Sequence, residues 1–298
     1  MIRPSTAFLT ATLAASLPLM AAEQTATTTT SMPEVTSTSS LGGNLVEEQP
    51  VDPTGRPEWT SHRRFPTTRV YIQQAPWEVG FEQWLRYRDF RDGTSAARFQ
   101  EEVEIGLPYR FQLDLYESWV VNEHRHASQD ECSIELRYAL ADWNKIPLNP
   151  TLYFEYARVN DDADTVEVKL LLGQDLTPRL HYGFNFAFEQ EVTAAHSSAY
   201  TLSQGLSYTL IDDLLSAGVE MEYEIETEHG NRHSPTQQFL IGPSVQIRPT
   251  RNTHLDLVGL IGTNGAAPNV EGYIVFGIDF GKVGSGESHY SPVSVRSN

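Results

Sequence analysis

LHYGFNFAFEQ, residues 180–190, alternates along its whole length. Leu180, Tyr182, Phe184, Phe186 and Phe188 share one side of an extended chain, while His181, Gly183, Asn185, Ala187 and Glu189 share the other. Successive side chains of a strand point to opposite faces, so the stretch reads as a β-strand with one apolar face. The aromatic wall can face a protein core, with water outside, or lipid, with water at the centre of a barrel.

The same period extends from Trp77 to Phe280 in about twelve segments. They fall near 77–88, 96–107, 110–121, 131–141, 150–159, 165–174, 179–190, 199–210, 214–225, 236–248, 253–262 and 269–280. No amphipathic helix of useful length interrupts them. An antiparallel sheet of this size must close or split, because open twisted sheets rarely exceed about 10 strands. The expected fold is all-β: an up-and-down antiparallel transmembrane barrel spanning residues 69–281, with a tail at 282–298.

Before the barrel, Arg3, an apolar run (AFLTATLAASLPLM) and the small pair Ala21–Ala22 read as a signal peptide over 1–22, implying export. Residues 23–68 begin with a Thr/Ser-rich stretch too poor in large apolar groups to offset chain entropy, and read as a disordered or periplasmic segment. The following TRVYIQQAP (68–76) reads equally as a short strand or as a segment tucked into the barrel. The formal net charge of −18 argues against a nucleic-acid partner, whose phosphates would be repelled. Cys132 stands alone and reads as a small packed hydrophobe.

The links after even-numbered segments are mostly tight, as at PY (108–109), DLTP (175–178), IDD (211–213) and PTRN (249–252), although DWNKIPLN (142–149) is longer. Those after odd segments are longer and more polar, such as NEHRHASQD (122–130) and ETEHGNRHSP (226–235). Short turns at one end and longer loops at the other describe an outer-membrane barrel with its turns and N-terminus in the periplasm. His126 and His233 would then be extracellular and Asp212 periplasmic.

Taking the apolar parity as outward gives a face almost free of charge, with Glu101 and Glu117 as exceptions: a rim position, a bulge or a contact with another chain would account for them. Trp77, Tyr138, Tyr182 and Tyr208 toward the turns, and Tyr87, Trp119, Tyr156, Tyr200 and Tyr223 toward the loops, read as interfacial belts. The opposite parity collects sixteen acids, among them Glu102, Glu104, Glu220, Glu222 and Glu224, against Arg86, Arg88, Arg110, Arg137, Lys169 and Arg248. So many carboxylates require a wet face, and Glu220, Glu222 and Glu224 read as a cation-attracting row in a pore.

The hairpin ELRYALADWNKIPLNPTLYFEY (135–156) and the terminal strand VEGYIVFGIDFG (270–281) resemble outer-membrane β-barrel proteins of Gram-negative bacteria, a loose group without an agreed activity. The resemblance covers roughly residues 70–281; such barrels commonly end on an aromatic residue, whereas this chain continues past Phe280. It implies outer-membrane lipid and the barrel-assembly machinery as partners.

The function expected is a narrow channel or passive transporter for small cationic or neutral solutes, without enzymatic activity, cofactor or metal. The alternatives are a non-conducting barrel presenting its loops, a secreted soluble barrel with an inner pocket, and a barrel lipid hydrolase. His124, His126, His229 and His233 with neighbouring acids could hold a divalent ion, but exposed loops rarely preorganise such a site. His196 beside Ser197 and Ser198 lacks the orienting group and oxyanion hole that a nucleophilic serine needs.

Overall fold

The computed structural model describes residues 45–121, 127–192 and 197–281. The signal-peptide reading of 1–22, the Thr/Ser-rich stretch to residue 44, the tail 282–298, and His124, His126 and His196 lie outside them. Twelve antiparallel strands close into one barrel in neighbour order, with β1 (Val79–Asp89) pairing both β2 (Ser95–Leu107) and β12 (Val270–Phe280). Between them run β3 (Phe111–Val121), β4 (Ala127–Ala139), β5 (Thr151–Val159), β6 (Thr165–Thr177) and β7 (Leu180–Glu191). The circuit continues through β8 (Ser197–Ile211), β9 (Leu215–Glu228), β10 (Thr236–Thr250) and β11 (Thr253–Gly262).

Every alternating segment became a strand, and closure leaves no unpaired sheet edge. The apolar parity lies outside: Phe186 is 44% exposed and Val219 50%, whereas His181 is 0% and Ala187 5% exposed. So continuous an exposed apolar surface calls for a nonaqueous neighbour. The soluble-barrel alternative would have turned this parity inward.

The asymmetry of the links is smaller than the sequence suggests, because the strands extend into the stretches expected as loops. β4 starts at Ala127 rather than 131, and β9 runs to Glu228 rather than 225. The longest link, residues 140–150, sits at the turn end between β4 and β5.

The segment before the barrel corrects the boundary at residue 68. Residues 45–76 are continuous and run inside the barrel. The chain enters at the turn end, where Asp212 accepts hydrogen bonds from the Val46 N–H (2.8 Å) and the Glu47 N–H (3.2 Å). It rises to Phe65–Arg69 and returns to the turn end, where the Trp77 N–H bonds Gly106 O at 2.7 Å before β1 begins. Trp59, Phe65, Val70, Tyr71 and Ile72 form a buried apolar cluster with Ala139 and Trp143, the latter from the long turn-end link.

Candidate functional site

This internal segment is a plug, and its irregular backbone creates a need that the wall meets. A buried peptide outside helix or sheet must find partners for its N–H and C=O groups among side chains. Asn185 accepts from the Arg69 N–H and donates to Arg69 O, both at 2.7 Å. Gln112 accepts from the N–H groups of Gln73 (2.6 Å) and Gln74 (3.1 Å), and Gln246 donates to Arg63 O at 2.5 Å. The carboxylate of Glu220 takes both the N–H (2.8 Å) and the hydroxyl (2.5 Å) of Thr67.

The wall is also shaped for the plug. Gly173, Gly183 and Gly205 are consecutive cross-strand partners on β6, β7 and β8, all facing inward. A Cβ at Gly173 would lie 2.2 Å from Val70 Cγ1, and one at Gly205 2.4 Å from the Phe65 ring. The glycine row is the seat of the plug's apolar tip.

Charge makes the third set of contacts. Register places Glu104, Asp114, Glu135, Glu155, Glu167 and Glu189 side by side across β2 to β7, one inward acid per strand. Adjacent carboxylates of this kind repel unless countered. Arg63 reaches Glu82 at 2.7 Å and Glu104 at 3.2 Å; Arg69 reaches Glu102 at 3.3 Å and Glu135 at 3.6 Å. From the wall, Arg137 pairs with Asp114 at 2.8 Å and with Glu135. Among the described residues, the acid triads Glu82–Glu102–Glu104 and Glu102–Asp114–Glu135 have metal-like spacing, but guanidinium groups hold that place.

Nearer the turn end, Glu47 pairs with Arg64 at 2.7 Å and Glu58 with Arg248 at 2.7 Å. His181, stacked on Trp59 with ring centroids 4.5 Å apart, lies with Nε2 2.7 Å from Glu48 Oε1. Burial, reinforced by Asp175 and Glu47, pushes the Glu48 carboxyl up to about 8.

Above the plug the lumen opens into a vestibule of about 430 Å³ whose floor is Pro66, Thr67 and Arg69. Glu155, Glu167 and Glu189, the upper half of the acid row, line it together with Glu131, Glu222 and Glu224. Arg86 and Arg88 both bond Glu271 (2.6 and 2.8 Å), Arg98 lies 3.3 Å from Asp130, and Lys169 lies 2.7 Å from Glu167. Trp84, Tyr116, Tyr153 and Tyr273 supply its aromatic surface.

The residues expected to line a pore therefore divide. Glu222, Glu224, Arg86 and Arg88 line the vestibule. Glu102, Glu104 and Arg137 are fully buried beneath the plug, and Glu220, also buried, anchors Thr67, so 220, 222 and 224 do not form one row facing water. Arg110 leaves the lumen altogether: Tyr109 and Arg110 adopt positive φ (63° and 68°), which breaks the parity at the β2–β3 turn. Its guanidinium lies over the outward Tyr138 ring and 3.1 Å from Asp142.

Sequence reasoning missed Arg63, Arg64 and Arg69, and Arg98 on the inward parity. The cue was present in HRRFPTTR (62–69), a basic cluster just before a barrel with excess inward acid. His229 and His233 belong to the exposed β9–β10 link, as expected.

The family described as "Putative MetA-pathway of phenol degradation" matches residues 150–280, which is β5 to β12. No curated protein matches the chain. Among solved structures, an outer-membrane channel from Pseudomonas putida F1 is similar at 10% identity with a TM-score of 0.50, over 71% of this chain and 98% of that one. The NanC porin is similar at 10% identity and a TM-score of 0.47, over 68% of this chain and 99% of that one. For the KdgM porin the values are 11% and 0.41, over 68% and 98%. What is shared with the P. putida channel is the fold, a single-chain antiparallel barrel.

Proposed function

We propose that this chain is an outer-membrane barrel that passes small cationic or neutral solutes when its N-terminal plug withdraws from the lumen, and is closed while the plug is seated. The exposed apolar band with its aromatic belts supports the membrane placement. The observation that carries the gate is the plug itself: Pro66, Thr67 and Arg69 floor the vestibule, and Arg63 and Arg69 cover the wall acids below. With the plug seated, six acids face five basic groups in the vestibule (Glu131, Glu155, Glu167, Glu189, Glu222 and Glu224 against Arg69, Arg86, Arg88, Arg98 and Lys169). Withdrawal removes Arg63 and Arg69 and bares Glu82, Glu102, Glu104 and Glu220, so the open lumen is strongly cation-attracting. A dry passage through so many acids would be prohibitive; a hydrated one selects by charge.

Planar-bilayer recording tests this. The unmodified chain is expected to open rarely, and Arg63→Gln with Arg69→Gln to open often and to prefer cations, more so at low salt. Anion preference of the open state overturns the solute class. A chain that folds as a barrel and never conducts, with or without these substitutions, supports the non-conducting reading instead. Cysteines at His233 and Arg251 on a Cys132→Ser background test placement: on intact cells only position 233 should label.

A further inference from the structure

The outer face carries an anomaly that the lumen does not explain. Its parity is apolar around the whole barrel, yet three charged residues interrupt it: Glu101 and Glu117 within their strands, and Arg158 one residue from the loop-side end of β5. Asp89, the other charged residue of that parity among the described strands, sits at the loop-side tip of β1 beside Asn269.

The three share one ladder row. Register pairs Gln83 with Glu101, Glu101 with Glu117, Glu117 with Cys132 and Cys132 with Arg158, across β1 to β5. No register shift separates Glu101 from Glu117, so neither is an inward residue displaced by a bulge. Nor are they at a rim: Phe99 and Trp119 lie one step toward the loops, and Val103 and Leu115 one step toward the turns. Two carboxylates side by side on a lipid-facing surface are doubly disfavoured, by desolvation and by mutual repulsion. Glu117 accepts a hydrogen bond from Gln129 at 2.6 Å. Arg158, exposed on β5, is the basic residue nearest along the row. It lies two strands from Glu117, about 10 Å by strand spacing, and forms no ion pair with either acid among the described residues.

We propose that the outer face of β2 to β5 is the contact surface for a second copy of this chain. The patch is self-complementary in charge: acids on one side of Cys132, a guanidinium on the other. A two-fold axis parallel to the barrel axis and passing near Cys132 sets Glu101 and Glu117 of each copy against Arg158 of the other, as an isologous contact requires. The row rises toward the loop ends from β2 to β5, as the inner acid row does. Arg158 therefore meets the acids from the loop side, with its aliphatic stem along apolar surface. Leu115, Ile134, Leu136, Phe154 and Tyr156, each 38–47% exposed, surround the charges and would be covered by the partner. This inference rests on the membrane placement and is independent of conduction.

Oxidative cross-linking in native membranes tests it directly, because Cys132 is the chain's single cysteine and is exposed. The unmodified chain should give a covalent dimer. Arg158→Glu and the milder Arg158→Gln should each reduce it at least tenfold, and Arg158→Glu combined with Glu101→Arg and Glu117→Arg should restore it. A membrane-embedded chain whose Cys132 alkylates with a permeant maleimide yet never cross-links overturns the proposal. So does a cross-link insensitive to charge reversal, which would mean random encounter or a different partner on the acids. A chain found only in the soluble fraction overturns the membrane placement together with this inference.

Discussion

The two halves of the lumen share one wall and one inward row of acids but handle them differently. At the turn end, Glu104, Asp114 and Glu135 are dry, buried and held by Arg63, Arg69 and Arg137. At the loop end, Glu155, Glu167 and Glu189 line a cavity that water can fill, with Lys169 their nearest cation on the wall. Buried carboxylates demand precise partners, whereas wet ones tolerate imbalance. The lower half therefore depends on the plug, and the upper half does not.

The comparison breaks most readily at Arg63. Arg63→Gln leaves Glu82 buried without a guanidinium and Glu104 without its nearest one, which costs about 3–5 kcal/mol of plug docking. Limited proteolysis in detergent should then cut within residues 45–76 while the barrel itself stays folded, read as a gel mobility that shifts only on heating. An intact plug in that variant would mean its charge contacts are incidental.

Gly205→Val should act more mildly, since its Cβ already meets the Phe65 ring; overpacking of this kind costs about 1–3 kcal/mol. The shorter Phe65→Ala on the same background should recover docking, and failure to do so would remove the glycine row as the plug's seat. In the upper half, Glu222→Gln with Glu224→Gln should change stability by less than about 0.5 kcal/mol, as for surface changes, and lower cation preference modestly. A large loss of folded barrel would show that the vestibule is as tightly coupled as the plugged half.

Docking also depends on pH, through Glu48. Its carboxyl is held near 8 in the docked plug and returns to its ordinary range near 4.5 when released. Between these values the docked form binds the extra proton, so raising pH from 5 to 8 favours release. A spin label at the exposed Pro53 should gain mobility over that range, and Glu48→Gln should flatten the response. An unchanged slope in Glu48→Gln would assign the titration elsewhere.

The strands were legible because a two-sided wall writes its period into every residue, and Leu180–Gln190 announced it plainly. The plug was not legible for the same physical reason. Its backbone is satisfied by Gln112, Asn185 and Gln246 of the wall, and its side chains follow the local shape of the lumen, so residues 45–76 carry no period. The partial cues lay in the barrel, in the inward glycines 173, 183 and 205 and in the surplus of acid. Arg110 was misplaced because parity fails where a turn takes positive φ. Glu222, Glu224, Arg86 and Arg88 line the vestibule because they lie above the plug, where parity alone decides what faces the lumen.

The central claim is that the seated plug closes the lumen, and a tether tests it most directly. A Cβ built on Gly173 lies 3.1 Å from Val70 Cβ, so a shift of about 0.4 Å brings the pair to the short end of the roughly 3.5–4.5 Å that a disulfide bridges. Val70→Cys with Gly173→Cys, on a Cys132→Ser background, fixes the plug to the wall when oxidised. In planar bilayers the oxidised protein should stay closed, and reduction should restore the openings of the Cys132→Ser parent. Equal conductance before and after reduction would contradict the account.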